Sequence, residues 1–409
     1  MNQPKADRLI DRAPHLLAAL LALALTAILV PLCLKCFHVD RRLAYIVASD
    51  LLEEKDQGLA LQKAAFAQRD LLPIYGSSEF LNESPYCGRT FFARFPTGFA
   101  LFPVGKAGQE SVVIAQRLAA LGKALRGKKV VVIVSSTWFL SHHEAADRYA
   151  GNFSELQAYR LIFASPLSPS LKQEFATEML KFPATLDGHP LLHDTVRRYA
   201  SSNFGASAFD LPGRAYAALL TAADEWQTAF ALAGTAWSAS HAFFHGPKHR
   251  AATLDWAQLA ADADRRAAEF AAAQARAGVH VPQIFRAKNK GARAASFKAA
   301  LSNADEWTQL RILLQTLHEL GAEPLLIDVP IDASSFSSLG LTPDLRAAYY
   351  DRLRSEVRPF GFPLVTFQSE ENDPSFFEDA LGHPSASGWL KMDRVIDQFY
   401  HDQLPATVD

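Results

Sequence analysis

Cysteine is scarce: the chain has 409 residues and three cysteines. Cys33 and Cys36 close an apolar stretch, which leaves Cys87 alone in the remainder. A lone cysteine forms no internal disulfide, so no disulfide scaffold is present. A chain this long does not need one, because it can bury a large core. Charge of one sign is also missing. The formal net charge is -2, which excludes a strongly basic nucleic-acid binder as the default reading. No internal repeat and no low-complexity run appears beyond a richness in alanine. What is there, 49% apolar and 21% charged, suits a globular protein of about two or three domain-sized units.

One absence is local. From Pro14 to Leu34 there is no Lys, Arg, Asp or Glu. That run is about long enough to cross a hydrocarbon core of roughly 30 Å. Arg8 and Arg12 precede it and Lys35, Arg41 and Arg42 follow, so flanking charge sets orientation poorly. A cleaved signal peptide is the competing reading. The run is longer than an ordinary signal core and no small-x-small site follows, which favours an uncleaved anchor. The expected organisation is a tail over 1–13, a transmembrane anchor over 14–34 and a linker helix over 35–70. A large α/β body then spans 71–400 outside the membrane, and a tail follows over 401–409.

Strand patterns start at Leu71, Gly98, Val130, Pro324 and Phe362, with helical patterns between them. That alternation predicts a parallel five-stranded sheet covered by helices on both faces. Val130 to Val134 is the clearest strand, a β-branched run. Gly321 is placed to stop the helix over Ala304 to Leu320. From about 156 to 300 the pattern is helical without strands, which predicts a helical insertion. Phe204 to Gly246 carries a large apolar load there, with Trp226 and Trp237.

The first strand ends at Gly76 and runs into Ser77 and Ser78. A strand, a Gly-Ser turn and a helix present a serine hydroxyl at the carboxyl edge of a parallel sheet. Late in the chain stand Asp379 and His383. An acid and a histidine are what a serine nucleophile needs. The bland alternative is that both serines are ordinary turn residues. His142-His143-Glu144 suggests a metal at first sight, but adjacent histidines on a helix do not share a face. Ser141 and Glu144 fit a capping box instead, and no metal or cofactor is expected.

Several blocks come in a familiar order: GSSEF at Gly76, VGKAGQES at Val104, SSTWF at Ser135 and HPSASGW at His383. With NADEWTQLRILLQTLHELGAEPLLIDVPI between the last two, they resemble the DltD proteins, the D-alanyl transfer proteins of teichoic acid D-alanylation. The likeness runs from Leu71 to Trp389. It implies an SGNH-hydrolase-like, flavodoxin-like fold, and a triad with Ser78 as nucleophile, His383 as base and Asp379 orienting it. It implies as partners a membrane acyltransferase, an acyl-carrier protein and a cell-envelope polymer. Three departures mark a divergent branch. Asp379 lies four residues before His383 where the family has three, Ala107 replaces a frequent glycine, and SSTWF lacks the family's proline and glutamine.

An acyl transfer also needs donors for the oxyanion. The Ser78 amide and the Gly108 amide are candidates, and Thr137 stands where such folds carry an asparagine. Glu79 reads first as an acid in the first turn of a helix, and second as a partner for the ammonium of a D-alanyl ester. Trp138 reads as core or as a pocket wall. Glu378 and Asp373 are alternatives to Asp379. Three functions are compatible with these residues: an anchored serine acyl transferase or esterase acting on an envelope polymer, a non-catalytic scaffold or carrier-binding subunit on the same fold, and a polysaccharide O-acetyl transferase or esterase.

Overall fold

A computed structural model describes residues 13–36, 39–48, 58–81, 84–141, 146–201, 210–238, 253–277 and 293–405. At its centre lies a parallel sheet of β1 Leu71–Gly76, β2 Ala100–Gly105, β3 Lys129–Ser135, β4 Glu323–Val329 and β5 Leu364–Val365. The strands lie in the order β2-β1-β3-β4-β5, and every pairing is parallel. These are the five strands expected from the sequence. β5 alone is much shorter than its apolar run. Pro363 lacks an amide to donate to the ladder, and Phe367 turns left-handed at φ 46°.

Both faces of the sheet are buried. Val130, Val132 and Val134 point into one core with Tyr75 and Phe102. Val131 and Ile133 point into the other with Ile74, Leu325 and Ile327. A strand covered on both sides must be apolar at every position, not at alternate ones. The helices Ser111–Leu121 and Asp305–Leu320 cover the first face. The helix Asp305–Leu320 ends at Gly321, whose φ of 64° is the left-handed stop expected there. Gly88–Arg94 and Ala386–Tyr400 cover the second face.

Between β3 and β4 the described residues form helices and no strand, among them Glu155–Ala164, Leu211–Ser238 and Trp256–Ala277. The helix Trp256–Ala277 packs on Ala386–Tyr400, with Ala263 in the second core. It grips two loops. Tyr86 donates its hydroxyl to Asp262 at 2.7 Å, and Ser387 donates to Asp264 at 2.6 Å.

Ahead of the sheet, Ala13–Cys36 is a helix of 24 residues. Among the described residues no helix is long and apolar enough to cross a membrane, so the anchor expected over 14–34 stands as a proposal. The linker over 35–70 is not one helix, which corrects the expectation. It holds two described helices, Val39–Ala48 and Leu59–Ala67, with residues 49–57 outside the description. The second starts at Gly58 because Asp224, from the insertion, caps the Leu59 and Ala60 amides at 3.1 and 2.7 Å. A side chain at Gly58 would collide with that carboxylate. His142, His143 and Glu144, with most of the N-terminal tail and the last four residues, lie outside the described residues.

Candidate active site

The strand order reverses direction between β1 and β3, and in such sheets ligands bind in the crevice beyond the carboxyl ends there. β1 delivers Ser77 and Ser78 to that crevice. The chain then enters a short 3-10 turn, Ser78–Leu81, and not the α-helix expected after the Gly-Ser turn. Pro85 disfavours α geometry in the residue before it, and the α-helix starts only at Gly88. The turn still leaves the Ser78 amide outside its own hydrogen bonding, as at any helix start.

Two glycines make the turn fit. Gly76 and Gly105 pair across β1 and β2, and a Cβ on Gly105 would strike the Gly76 carbonyl. A Cβ on Gly76 would strike the Glu79 carboxylate, which fills that hollow together with the Phe80 ring. Glu79 is only 4% exposed, and its carboxylate accepts the Ser77 amide. The loop after β2 buttresses this arrangement. Gln109 donates to the Gly76 carbonyl at 3.0 Å, and Ser77 donates to the Lys106 carbonyl at 3.4 Å.

His383 arrives on a second loop. Phe377 and Pro384 form an antiparallel bridge, and the Glu378 amide donates to the His383 carbonyl at 2.7 Å. Gly382 closes the bend at φ 92°. Asp379 organises the interior: Oδ1 accepts the amides of Leu381 and His383 at 2.9 and 3.2 Å. Its Oδ2 lies 2.7 Å from His383 Nδ1. The longer spacing between acid and histidine is thus taken up inside one closed loop. On the ring's other side, His383 Nε2 lies 2.8 Å from Ser78 Oγ. Asp373 is elsewhere: it caps Ser375 and pairs with Lys391 at 3.1 Å.

Ser78, Glu79 and His383 line a cavity of about 140 Å3 whose far wall is Ser135, Thr137 and Trp138. Thr137 Oγ1 lies 2.8 Å from Ser135 Oγ, so a pair of hydroxyls faces the serine. Trp138 is buried and belongs to the first core as well as to the wall. Gly108 takes a left-handed φ of 78° and does not line the cavity. Ser135, Val329 and Leu381 line it without having been singled out in the sequence. For Ser135 and Val329 the signal is their place at the ends of β3 and β4, at the same sheet edge. A larger groove of about 550 Å3 lies beside the loop at Glu378 and Ser385 and reaches Leu81 and Phe270. It holds neither Ser78 nor His383.

Electrostatics follow the hydrogen bonds. The bond from Asp379 raises the His383 pKa above 6.5 against the effect of burial, and the charges of Asp379, Glu79 and Glu378 add to it. Burial raises Asp379, but its bonds to the His383 ring and to two amides outweigh this and hold it below 3.8. Burial raises Glu79 above 4.5 despite the Ser77 amide.

Comparison with known proteins covers the whole of this site. The family model described as DltD protein matches residues 48–401. The chain belongs to the DltD family. Protein DltD of Bacillus subtilis (strain 168) is 27% identical over 353 residues, covering 84% of this chain and 86% of that protein. Protein DltD of Staphylococcus aureus (strain NCTC 8325 / PS 47) is 21% identical over 367 residues, covering 88% and 89%. Protein DltD of Lacticaseibacillus rhamnosus is 21% identical over 379 residues, covering 88% and 84%. The DltD match takes in both loops that meet at the cavity.

Proposed function

We propose that this chain is a membrane-anchored serine acyl transferase of teichoic acid D-alanylation, working by a Ser78-His383-Asp379 triad on an SGNH-hydrolase-like fold. The observation that carries this reading is the unbroken line from Asp379 Oδ2 through the ring to Ser78 Oγ, at 2.7 and 2.8 Å. Neutral His383 takes the Ser78 proton at Nε2 as Oγ attacks the acyl carbonyl. The carbonyl π pair moves to oxygen, next to the Ser78 amide and the Thr137 hydroxyl. Collapse breaks the bond to the donor's leaving group, which takes the proton from His383. An acceptor hydroxyl on the envelope polymer then repeats the steps in reverse and frees Ser78. Water in the acceptor's place gives hydrolysis.

Cavity size supports a small acyl group. The cavity of about 140 Å3 has room for an alanyl-sized group beside Ser78. The anchor reading rests on the charge-free run within Ala13–Cys36, where Leu17, Leu20 and Leu32 are exposed at 60%, 60% and 56%. Leucines on a helix with no protein cover need another apolar phase. A membrane acyltransferase and an acyl-carrier protein complete the scheme as partners.

The test is covalent labelling of the full chain in detergent with a fluorophosphonate probe. The parent protein is expected to label at Ser78, and Ser78→Ala and His383→Ala are expected not to. A parent protein that never labels would favour the scaffold reading. Faster turnover of acetyl than of alanyl esters would favour an O-acetyl transferase or esterase.

A further inference from the structure

The helix Leu211–Ser238 carries apolar side chains on its outward as well as its inward side. Its inward side holds Ala217, Asp224 and Thr228, each 6–8% exposed, and Leu220 packs on the first core. Asp224 caps the Leu59–Ala67 helix, and Thr228 donates to the Asp224 carbonyl at 2.9 Å. Its outward side carries Leu211, Leu219 and Phe230, 66–67% exposed, with Tyr216 beside them. Trp226 stacks on Phe230 at 5.7 Å between ring centroids. Arg214 instead turns toward the body, over the Phe163 ring at 4.8 Å. A soluble surface helix carries mostly polar and charged residues on its outward side, which this one does not.

The position of this face indicates its occupant. The helix packs on Val39–Ala48 and touches Ala13–Cys36, whose leucines are exposed in the same way. The two apolar surfaces are therefore neighbours at the point where the proposed span meets the body. Aromatic rings such as Tyr216 and Trp226 favour the boundary between lipid and water. We infer that the Leu211–Ser238 helix lies on the lipid surface beside the anchor and gives the body a second membrane contact. This inference rests on the anchor reading, not on the triad.

The full chain would be reconstituted into vesicles of phosphatidylglycerol and phosphatidylethanolamine containing a photoactivatable phospholipid. Lipid adducts would be mapped by mass spectrometry after illumination. Adducts are expected on residues 211–230 as well as on 13–36. The double variant Leu219→Glu/Phe230→Glu is expected to lower the first set at least about tenfold and to keep the second, since carboxylates resist entry into the apolar layer. Its melting temperature, compared with the parent's, checks that it folds. Adducts on 13–36 alone in the parent protein would overturn the inference and leave the anchor standing. Adducts on neither would overturn both. Protein cross-links between two copies of 211–230, in place of lipid adducts, would assign the face to a second copy and overturn the inference as well.

Discussion

Ser78 Oγ and His383 Nε2 meet at 2.8 Å across 305 positions of sequence. One comes from the end of the first strand, the other from the loop ahead of the last helix. Both are delivered to the same edge because β1 lies inside the sheet, between β2 and β3, and Ala386–Tyr400 packs on the sheet's second face.

Removing the acid tests the third member of the line. Asp379→Asn is expected to slow turnover of an activated ester by about 10^4-fold, because the ring loses its orienting acceptor. Asp373→Asn should stay near the parent rate, since Asp373 pairs with Lys391 and not with the ring. Equal losses in the two variants would remove Asp379 from its role.

The pH profile tests the same hydrogen bond. His383 acts as a base only when neutral, and its pKa lies above 6.5 in the folded protein. The rate of fluorophosphonate labelling should therefore rise with pH and reach half its plateau above pH 6.5. Asp379→Asn and Glu79→Gln each delete a negative charge that holds the proton on the ring. Both should shift the midpoint to lower pH, Asp379→Asn further. A midpoint that ignores both variants contradicts the assignment.

Stability should respond to a carboxyl outside the site. Asp393 is fully buried, and neither carboxyl oxygen has a partner among the described residues. Burial raises its pKa well above 3.8. The folded state thus holds this proton more tightly than the unfolded chain does. Its contribution is fully present below pH 3.8 and is lost as pH rises toward the folded value. Asp393→Asn removes that dependence, and its melting temperature should exceed the parent's by a few degrees at neutral pH. The gap should close toward pH 4. Differential scanning calorimetry across pH decides it.

Gly105→Ala should be costly for its size. The added methyl meets the backbone carbonyl of Gly76, which cannot swing aside as a side chain does. A loss of about 1–3 kcal/mol is expected in denaturant unfolding, as for overpacking elsewhere. Labelling of Ser78 should slow as well, because Gly76 leads directly into the serine turn. An unchanged midpoint would show that β1 and β2 separate freely.

Much of this was legible in the sequence, for identifiable reasons. Strands buried on both faces leave uninterrupted β-branched runs, so Val130 to Val134 could be recognised without help. The Gly76-Ser77-Ser78 turn was legible because glycine marks close backbone approach. The 3-10 turn was not, because a Gly-Ser turn reads the same ahead of a single 3-10 turn as ahead of an α-helix. The separate Val39–Ala48 helix was hidden inside a charged stretch, where its buried Leu43, Ile46 and Val47 were too few to show a period. The distance from Asp379 to the ring was unreadable too. Spacing along a chain says little about a closed loop whose shape is set by Gly382 and by the amides bound to Asp379. Ser135 became visible as a cavity residue only once β3 was placed beside β1.

The grip of Trp256–Ala277 on Tyr86 and Ser387 has an architectural outcome. A helix borrowed from the insertion acts as a brace between the arm that leads away from Ser78 and the helix that follows His383. Excising residues 156–300 would therefore not leave a compact smaller body. It would release both at once, so a change at Asp262 or Asp264 would reach Ser78 and His383 without ever touching them.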